Sequence, residues 1–431
     1  MKPLKKILII TYYWPPAGGP GVQRWLKFVK YLPEFGYEPI VFIPEHPNYP
    51  VLDSNLASEV SENIQIIRQK FFEPYQVAQI FAAKKTNQMR AGFLPSARKM
   101  TRLEKFLLWM RGNLFIPDAR IFWVQPAVKL LKNIISEHKI DTVITTGPPH
   151  SLHLIGLALQ KETIIKWIAD FRDPWTTISY HQSLQLSAWA QKKHLKLEQE
   201  VLQNANQIIV TSKVTKNEFL LKTRKPIHVI TNGYDDEISN VSSGLDLYFS
   251  IAHIGTLLSE RNPRILWKAL SEICNENEQF QNDFRLKLVG RTSPEILATI
   301  SEFKLDSYLD NLGYVSHLEA IKIQKSAQVL LLIEIDSEQT KCIIPGKLFE
   351  YMKTNRPIVA LGPEGSDVAS ILQKTQTGTY FEYDQKEELK LHIETLYAQF
   401  KVGKLRVSPV GIQKYARKSL TKKLVEVLKR N

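Results

Sequence analysis

Short apolar runs alternate with longer amphipathic stretches along almost the whole chain. Each apolar run has the length of one buried strand, and each amphipathic stretch can form one helix on the face of a sheet. This alternation is typical of βα units that build a parallel sheet with helices on both sides. The chain has 431 residues, which exceeds the size that one hydrophobic core usually serves, so we expect an α/β protein of two domains.

The predicted strands fall into two sets on either side of a polar stretch rich in Asp, Ser and Asn. The first set comprises residues 7–12, 39–43, 64–68, 141–145, 164–169, 207–211 and 228–231. The second set comprises residues 248–254, 286–289, 311–315, 329–335, 357–361 and 378–381. We therefore expect a first domain at 1–235, a linker at 236–247, a second domain at 248–410, and a final helix at 411–431 that packs back on the first domain. Ligands of such doubly wound sheets bind beyond the carboxyl ends of the strands.

Charge favours an acidic partner. The formal net charge is +14, which suits nucleotide phosphates, an anionic membrane surface or nucleic acid. No nucleic-acid-binding motif is present in the sequence, so we expect no nucleic acid among the partners.

Three further features of the sequence favour a cytoplasmic protein. The chain has only two cysteines, Cys274 and Cys342, and they form neither a disulfide framework nor a zinc motif. The apolar run near the amino terminus is too short for a signal peptide and ends at Pro15 without a cleavage site, so it predicts a strand. No apolar run has the roughly 18 to 20 residues needed to cross a bilayer, although peripheral contact with the inner face of the plasma membrane remains open.

The segment 71–123 is too long for a simple crossover and predicts a helical insert. Its aromatic and apolar residues are accompanied by many basic ones: Lys84, Lys85, Arg90, Arg98, Lys99, Arg102, Lys105 and Arg111. One interpretation is a helical excursion with solvated charges, and the other is a basic amphipathic surface that contacts anionic lipid.

A glycine-rich loop follows the first predicted strand. Gly18, Gly19 and Gly21 allow a close backbone approach, and the next helix offers free N–H groups to an anion. The loop is a poor dinucleotide fingerprint because the third glycine position holds Arg24. It is either a structural turn or a loop beside a phosphate or sugar.

Candidate catalytic residues follow two later strands of the first half. His150 ends the segment GPPH, while Arg172 and Asp173 lie in the segment DFRDPW that starts at Asp170. Carboxylates can accept hydrogen bonds from sugar hydroxyls, and aromatic faces can cover the apolar side of a sugar. The alternatives are a structural Arg–Asp ion pair and a structural histidine.

The second half supplies candidates for binding a donor. Gly255 ends its first strand, and Arg261 and Arg291 are suited to a diphosphate because a guanidinium can bond two oxygens. In the segment IPGKLFEYMK, Lys347 and Glu350 are three residues apart and can project together. The carboxylate can take both hydroxyls of a ribose and the lysine can neutralise phosphate; the alternative is a solvent-facing ion pair.

The order of these segments resembles the GT-B glycosyltransferases, in particular the retaining family 4. The segments that carry the resemblance are the glycine loop, the GPPHS and DFRDPW loops, the segment TNGYD at 231–235 and the segment PGKLFEY at 345–351. The resemblance covers nearly the whole chain. It implies two Rossmann-like domains that face each other across a central cleft, with the acceptor in the first and a nucleotide-sugar in the second.

The resemblance also assigns roles, and the sequence departs from the family at two positions. Glu350 matches the second glutamate of a paired motif and is expected to hold the donor ribose, and Arg261 falls where the family often has a diphosphate-binding lysine. The glycine loop is expected over the diphosphate and the transferred sugar. Cys342 replaces the first glutamate, which normally contacts the sugar, and Thr256 replaces a usual arginine.

The sequence thus predicts a glycosyltransferase that moves a sugar from a nucleotide-sugar to an acceptor hydroxyl, with retention, in the synthesis of a cell-envelope glycan or exopolysaccharide. The expected partners are the donor, a glycan or lipid-linked acceptor and an anionic membrane surface; no cofactor or metal is expected. The alternatives are a nucleotide-sugar epimerase on the same fold, a membrane-associated binding protein with a decayed site, and a nicotinamide-dependent oxidoreductase.

Overall fold

The computed structural model describes residues 4–73, 102–235 and 243–430. The chain divides into two compact units. The first comprises Met1–Asn232 together with Arg417–Asn431, and the second comprises Gly233–Ala416. Most of the predicted linker and five of the predicted basic residues of the insert lie outside the described residues: Lys84, Lys85, Arg90, Arg98 and Lys99.

The first unit contains a parallel sheet of seven strands. They are β1 (Lys5–Ile10), β2 (Tyr37–Pro44), β3 (Gln65–Gln69), β4 (Thr142–Gly147), β5 (Lys166–Phe171), β6 (Gln207–Val210) and β7 (Ile227–Val229). Their order in the sheet is β3-β2-β1-β4-β5-β6-β7. The direction of winding reverses between β1 and β4, which is where ligands of doubly wound sheets bind.

Helices cover both faces of this sheet. The α-helices before the second unit are α1 (Pro20–Tyr31), α2 (Asn55–Ser58), α3 (Arg102–Asn113), α4 (Ile121–Glu137), α5 (Ser151–Glu162), α6 (Ser179–Gln182), α7 (Ala188–Asn204) and α8 (Lys213–Leu220). Alternation along β1 sends Leu8 and Ile10 into one hydrophobic cluster and Ile7 and Ile9 into the other. The two faces of the sheet therefore belong to separate apolar layers.

The second unit contains a parallel sheet of six strands. They are β8 (Phe249–Ile254), β9 (Phe284–Val289), β10 (Leu309–Gly313), β11 (Val329–Ile333), β12 (Ile358–Leu361) and β13 (Gly378–Phe381), in the order β10-β9-β8-β11-β12-β13. The remaining α-helices are α9 (Arg264–Glu276), α10 (Glu278–Asp283), α11 (Pro294–Glu302), α12 (His317–Ser326), α13 (Lys347–Tyr351), α14 (Asp367–Thr375), α15 (Lys386–Lys401) and α16 (Arg417–Lys429).

The predicted fold class is confirmed, because each of the thirteen predicted strands is present and both sheets are parallel. The bounds of β1, β5 and β10 are each displaced by two residues at both ends, and β10 begins at Leu309 instead of residue 311. Leu309 pairs with Leu286 of β9, and the strand ends at Gly313, whose φ is +63°. Tyr314, which the sequence placed inside the strand, is 94% exposed.

The last helix, α16, lies against the first unit. Its apolar residues Leu420, Leu424 and Leu428 share a hydrophobic cluster with Trp25 and Phe28 of α1. The chain thus returns to the first unit after it has completed the second. Among the described residues, no helix is both long enough and apolar enough to cross a membrane.

A buried ion pair fastens α1 to the centre of the first sheet. Arg24 Nη2 donates to Asp170 Oδ1 at 2.9 Å, and both side chains are almost fully buried. Trp25 Nε1 and Thr146 Oγ1 donate to the other oxygen of Asp170, at 2.9 and 2.8 Å. Arg24 Nη1 also donates to the carbonyl of Thr231 at 2.7 Å. Arg24, in place of the third fingerprint glycine, and Asp170 are therefore structural residues.

Removing one partner of this pair should leave an uncompensated buried charge. We expect Arg24→Ala to lower the free energy of unfolding by about 3–5 kcal/mol. The matched control is Lys132→Ala, which breaks the half-exposed Lys132–Glu162 pair of the same unit and should cost less than about 1 kcal/mol. Urea denaturation measures both, and equal losses in the two variants would contradict the structural role of Arg24.

Candidate active site

The candidate catalytic residues lie where β4 and β5 end. These strands pair in parallel, with Gly147 opposite Phe171. The loops that carry His150, Arg172 and Asp173 therefore leave the sheet side by side, at its carboxyl side. The structure places all three residues in this region of the first unit.

The guanidinium of Arg172 is held by backbone carbonyls. Its Nε donates to Gly147 O at 3.2 Å, and its Nη2 donates to Pro148 O. A Cβ at Gly21 would lie 1.7 Å from Arg172 Nη1, so Gly21 leaves room for this guanidinium. Burial lowers the pKa of Arg172, and the nearby Asp173 carboxylate opposes the shift. Neutral carbonyls fix the guanidinium in place without cancelling its charge.

Asp173 is a partly buried carboxylate. None of the described residues forms a hydrogen bond or ion pair with its side chain. Burial raises the pKa of Asp173, while the positive charge of Arg172 lowers it. A carboxylate in this state can accept a hydrogen bond from a substrate hydroxyl, because its lone pairs are not used by the protein.

His150 is a buried neutral imidazole. Its ring stacks on Trp175 with centroids 4.9 Å apart and an interplanar angle of 3°. Neither ring nitrogen has a hydrogen-bond partner among the described residues. Burial lowers the pKa of His150 well below its usual value, and the neighbouring His153 reinforces the shift. The ring can therefore donate one hydrogen bond and accept another from a bound molecule.

Three more histidines surround this ring, and sequence reasoning missed all of them. His153 stacks on Phe171 with centroids 4.3 Å apart, and its Nδ1 lies 2.9 Å from Thr145 Oγ1. His181 and His194 meet edge to face with centroids 4.5 Å apart. A signal was available for one of them, since His150 and His153 are three residues apart at the start of α5.

The amino terminus of α5 is already occupied by a carboxylate. Asp118 Oδ2 accepts from the backbone N–H of Ser151 at 2.9 Å, and Asp118 Oδ1 accepts from Ser151 Oγ at 2.8 Å. The partial positive charge of this helix end is therefore satisfied within the protein.

The other two glycines of the first loop, Gly18 and Gly19, are favoured at their positions for different structural reasons. A Cβ at Gly18 would lie 3.1 Å from Val51 Cγ1 and 3.2 Å from Asp53 Cβ, so the loop packs closely against this neighbouring segment. Gly19 has φ of +113°, a conformation that other residues rarely adopt. The expected contact of Gly18, Gly19 and Gly21 with a donor stays a prediction.

The cluster of buried imidazoles should make the first unit sensitive to acid. Burial lowers the pKa of His153 to about 3 and that of His181 to about 4. The unfolded chain titrates these groups near about 6.5, so below that pH it binds more protons and stability falls as the pH falls. At about pH 5 each group should cost about 2 kcal/mol relative to neutral pH.

Urea unfolding of the wild type and of His181→Gln, at about pH 7.5 and about pH 5, measures this effect. The variant should lose about 2 kcal/mol less on acidification, because the amide does not titrate. An equal loss in both proteins would show that His181 is not neutral in the folded state.

In the second unit, Lys347 begins α13 without a carboxylate against its ammonium group. Lys347 Nζ lies 3.2 Å from His253 Nε2, which is its hydrogen-bond partner among the described residues. Burial lowers the pKa of Lys347 to about 7; the charge of Arg261 adds to this shift and that of Glu350 opposes it. The solvent-facing Lys347–Glu350 ion pair, which was the alternative interpretation of this segment, does not form.

Arg261 is the second cation of this region. Its Nε is buried and has no hydrogen-bond partner among the described residues. Burial lowers the pKa of Arg261, and the charge of Glu334 opposes this shift. Two neighbouring, partly buried cations without a contacting carboxylate among the described residues are a candidate site for an anion, since desolvated charge without a partner is costly.

Glu350 lies on the same short helix, with its side chain partly exposed. Its Oε2 accepts from Gln324 Nε2 at 3.2 Å. The core face predicted for this helix is observed, because Leu348, Tyr351 and Met352 are buried. The carboxylate of Glu350 therefore points away from that core and keeps lone pairs for a further donor.

Arg291 is separate from these groups. It is exposed, and its backbone carbonyl accepts from Leu257 N at 2.8 Å. Its guanidinium makes no hydrogen bond or ion pair within the described parts of the chain. A donor-binding role for Arg291 stays a prediction that no contact in the structure supports.

Sequence reasoning missed Glu334, which follows β11 and is buried. Its carboxylate accepts from Ser366 Oγ at 2.9 Å and from Tyr380 OH at 3.0 Å. Burial raises the pKa of Glu334 to about 7, although these hydrogen bonds and Arg261 oppose the shift. A Cβ at Gly362 would lie 2.2 Å from Tyr380 OH, so this network requires a glycine there. An acidic residue directly after a buried strand was the available signal.

Two family models match the chain. The model described as Glycosyltransferase Family 4 matches residues 96–238, and the model described as Glycosyl transferases group 1 matches residues 248–399. Together they span more than half of the sequence. The chain belongs to the GT-B glycosyltransferases. It is therefore an enzyme that transfers a sugar.

Solved structures agree with this assignment of the glycosyltransferase. A glycosyltransferase from Rickettsia africae gives a TM-score of 0.58 at 16% identity and covers 99% of this chain and 100% of its own. Sucrose-phosphate synthase from Thermosynechococcus elongatus gives a TM-score of 0.62 at 13% identity and covers 98% of this chain and 98% of its own. Anabaena HepE in complex with UDP-glucose gives a TM-score of 0.59 at 13% identity and covers 98% of this chain and 99% of its own. At these identities the likeness establishes the fold. A search of curated protein sequences gives no match.

Proposed function

We propose that this glycosyltransferase moves a sugar from a nucleoside diphosphate sugar to an acceptor hydroxyl during the synthesis of a cell-envelope polysaccharide. The observation that carries the proposal is the pair of cations Lys347 and Arg261, which have no contacting carboxylate among the residues that the structure describes. A diphosphate supplies the missing negative charge. HepE, which has the same fold, is described in complex with UDP-glucose.

The donor is recognised by groups at the carboxyl ends of β8 and β11. Lys347 and Arg261 bind the diphosphate, and Glu350 accepts hydrogen bonds from the ribose hydroxyls. The developing charge on the departing diphosphate is stabilised by these two cations. The proposal requires no metal ion or other cofactor, because the cationic side chains perform the neutralising role.

The acceptor is oriented by the groups at the carboxyl ends of β4 and β5. Asp173 accepts a hydrogen bond from the reacting hydroxyl, His150 contacts a second polar group, and Arg172 fixes the loop that carries them. The resemblance to family 4 supports retention of the anomeric configuration. In that mechanism the acceptor oxygen bonds to the anomeric carbon on the face that the diphosphate leaves, and a departing phosphate oxygen takes the hydroxyl proton.

Lys347→Met tests the donor site. We expect affinity for the cognate nucleotide-sugar to fall by about ten- to a hundredfold, because a charge-assisted hydrogen bond contributes about 1.5–3 kcal/mol. Calorimetry against UDP-, GDP-, dTDP- and CMP-sugars identifies the cognate donor and measures this loss. The matched control is Asp173→Asn, which should keep donor affinity and lose transfer.

Other results of the binding and turnover measurements would favour one of the alternative functions. Binding of NAD instead of every nucleotide-sugar would indicate an oxidoreductase and overturn the proposal. Conversion of the nucleotide-sugar without an acceptor would indicate an epimerase. Binding of a nucleotide-sugar without turnover by the wild type, across lipid-linked and soluble glycan acceptors, would indicate a decayed site.

An exposed aromatic surface supports a membrane-bound acceptor. Five large apolar side chains between residues 72 and 122 are 40–60% exposed: Phe72, Phe106, Trp109, Leu114 and Phe122. Phe106 and Trp109 stack on α3 with centroids 6.3 Å apart, beside the exposed Arg102 and Lys105. Apolar rings next to cations suit the interface of an anionic bilayer. We propose that the enzyme works on the cytoplasmic face of the membrane.

Vesicle flotation tests this surface. The double variant Phe106→Ser/Trp109→Ser should bind phosphatidylglycerol-containing vesicles at least about tenfold more weakly than the wild type, because it loses apolar area that the interface would bury. The matched control is Trp189→Ser, which removes another exposed tryptophan of the first unit. Equal effects of the two changes, or no vesicle binding by the wild type, would overturn the membrane proposal.

A further inference from the structure

His253 lies directly beneath the cations of the donor site and has no role in the proposal above. It is the fifth residue of β8, and its side chain is 1% exposed. Its Nδ1 lies 3.1 Å from the carbonyl of Leu331 on the neighbouring strand β11. Its Nε2 lies 3.2 Å from Lys347 Nζ. The imidazole therefore bridges the centre of the sheet and the lysine.

The contacts with Leu331 and Lys347 indicate the tautomer of the His253 ring. A carbonyl oxygen can only accept, so Nδ1 carries a hydrogen. Burial and the charge of Lys347 lower the pKa of His253 well below its usual value, although backbone hydrogen bonds at Leu331 and Thr256 oppose this shift, so the ring is neutral. Nε2 then carries no hydrogen and accepts from Lys347 Nζ.

Two glycines reserve the space that the lysine occupies. A Cβ at Gly255 would lie 2.9 Å from Lys347 Nζ, and Gly255 has φ of +117°. A Cβ at Gly290 would lie 2.9 Å from the backbone of Gly255, so both turns have to pack without side chains. The end of the lysine is thus enclosed between the Gly255 turn and the imidazole.

The groups that act on Lys347 come from three elements. Arg261 belongs to the turn that precedes α9 and repels the ammonium, while Glu350 belongs to α13 itself and attracts it without contact. His253, on β8, is neutral and supplies only a lone pair. Before the donor binds, the attraction of Glu350 offsets only part of the desolvation of a charged lysine, whereas a bound diphosphate would place negative charge against it.

We propose that His253 is a positioning residue that holds the Lys347 side chain beneath the Gly255 turn, so that binding of the donor diphosphate is coupled to uptake of one proton by Lys347. The inference rests on the proposed function, because it takes the diphosphate as the anion. The proton comes from the buffer and forms an N–H bond on Nζ; no other bond changes.

Burial lowers the pKa of Lys347 to about 7 in the protein without donor. Below that pH the lysine is already charged and affinity should be constant. Above it, each binding event takes up a proton, so affinity should fall by up to about tenfold per pH unit. At about pH 8 the uptake should approach about one proton.

Calorimetry in buffers of different ionisation enthalpy counts this proton. UDP-glucose is the first probe, because both of its phosphates are diesters and keep their charge across this pH range. If the nucleotide-sugar panel identifies another donor, that nucleotide-sugar replaces it. The wild type should take up about one proton at about pH 8 and little at about pH 6.

Two substitutions of His253 separate positioning from packing. In His253→Asn the amide can still bond the Leu331 carbonyl but falls short of Lys347; in His253→Gln the amide oxygen can reach Lys347. We expect His253→Asn to raise the donor KM about fivefold or more with little change in kcat, and to abolish proton uptake. His253→Gln should restore both the donor KM and the proton uptake of the wild type. Far-UV circular dichroism and thermal melting establish that the variants are folded.

Specific outcomes overturn the inference. Wild-type proton uptake in His253→Asn would show that His253 does not set the state of Lys347. Uptake that persists in Lys347→Met would show that another group receives the proton. Donor binding by the wild type with no pH dependence would exclude the coupling while leaving the donor site intact, whereas failure of the wild type to bind any nucleotide-sugar would instead reject the proposed function.

Discussion

In a parallel sheet every strand ends on the same side, and this constraint shapes both candidate sites. Adjacent strands are joined through helices, so residues that follow two neighbouring strands meet although they are far apart in sequence. In the second unit the carboxyl ends of β8 and β11 bring together His253 and Glu334 with the turn that carries Arg261. In the first unit, β4 and β5 deliver His150 and Arg172 in the same way. The chemistry in each unit is therefore concentrated at one side of its sheet.

Buried cations are treated differently in the two units. In the first, the guanidinium of Arg24 contacts the carboxylate of Asp170, which receives further hydrogen bonds, so the two charges balance within the protein although Arg24 Nε has no hydrogen-bond partner among the described residues. In the second, Lys347 contacts only a neutral imidazole among the described residues, and Arg261 contacts no carboxylate. Stability alone disfavours the second arrangement, because desolvated charge without a partner is costly. We infer that the second arrangement serves an anionic ligand and that the first serves the fold.

The sequence predicted the sheets well because a strand buried on both faces must be an apolar run. It predicted the ends of the strands less well: at β10 the polar Asp310 concealed the start of the strand, and the exposed Tyr314 resembled its continuation. Members of the candidate site were named from the sequence where residue type alone indicates chemistry, as at Lys347 and Arg261, and their roles stay predictions. Others were missed where the role depends on a neighbour across the sheet. His253 acquires its tautomer from Leu331, which is 78 residues away in the sequence.

The replacement of the family's first motif glutamate by Cys342 affects recognition of the sugar and not of the diphosphate. Cys342 is buried and has no carboxylate, whereas Glu334 acts on the charge of Arg261 and Glu350 acts on that of Lys347. Both oxygens of Glu334 already accept hydrogen bonds from the protein, whereas Glu350 accepts one, from Gln324, among the described residues. The cations that would bind the diphosphate do not depend on a glutamate at position 342. Recognition of the sugar therefore has to rely on groups other than the paired-glutamate motif, and its identity does not follow from the family.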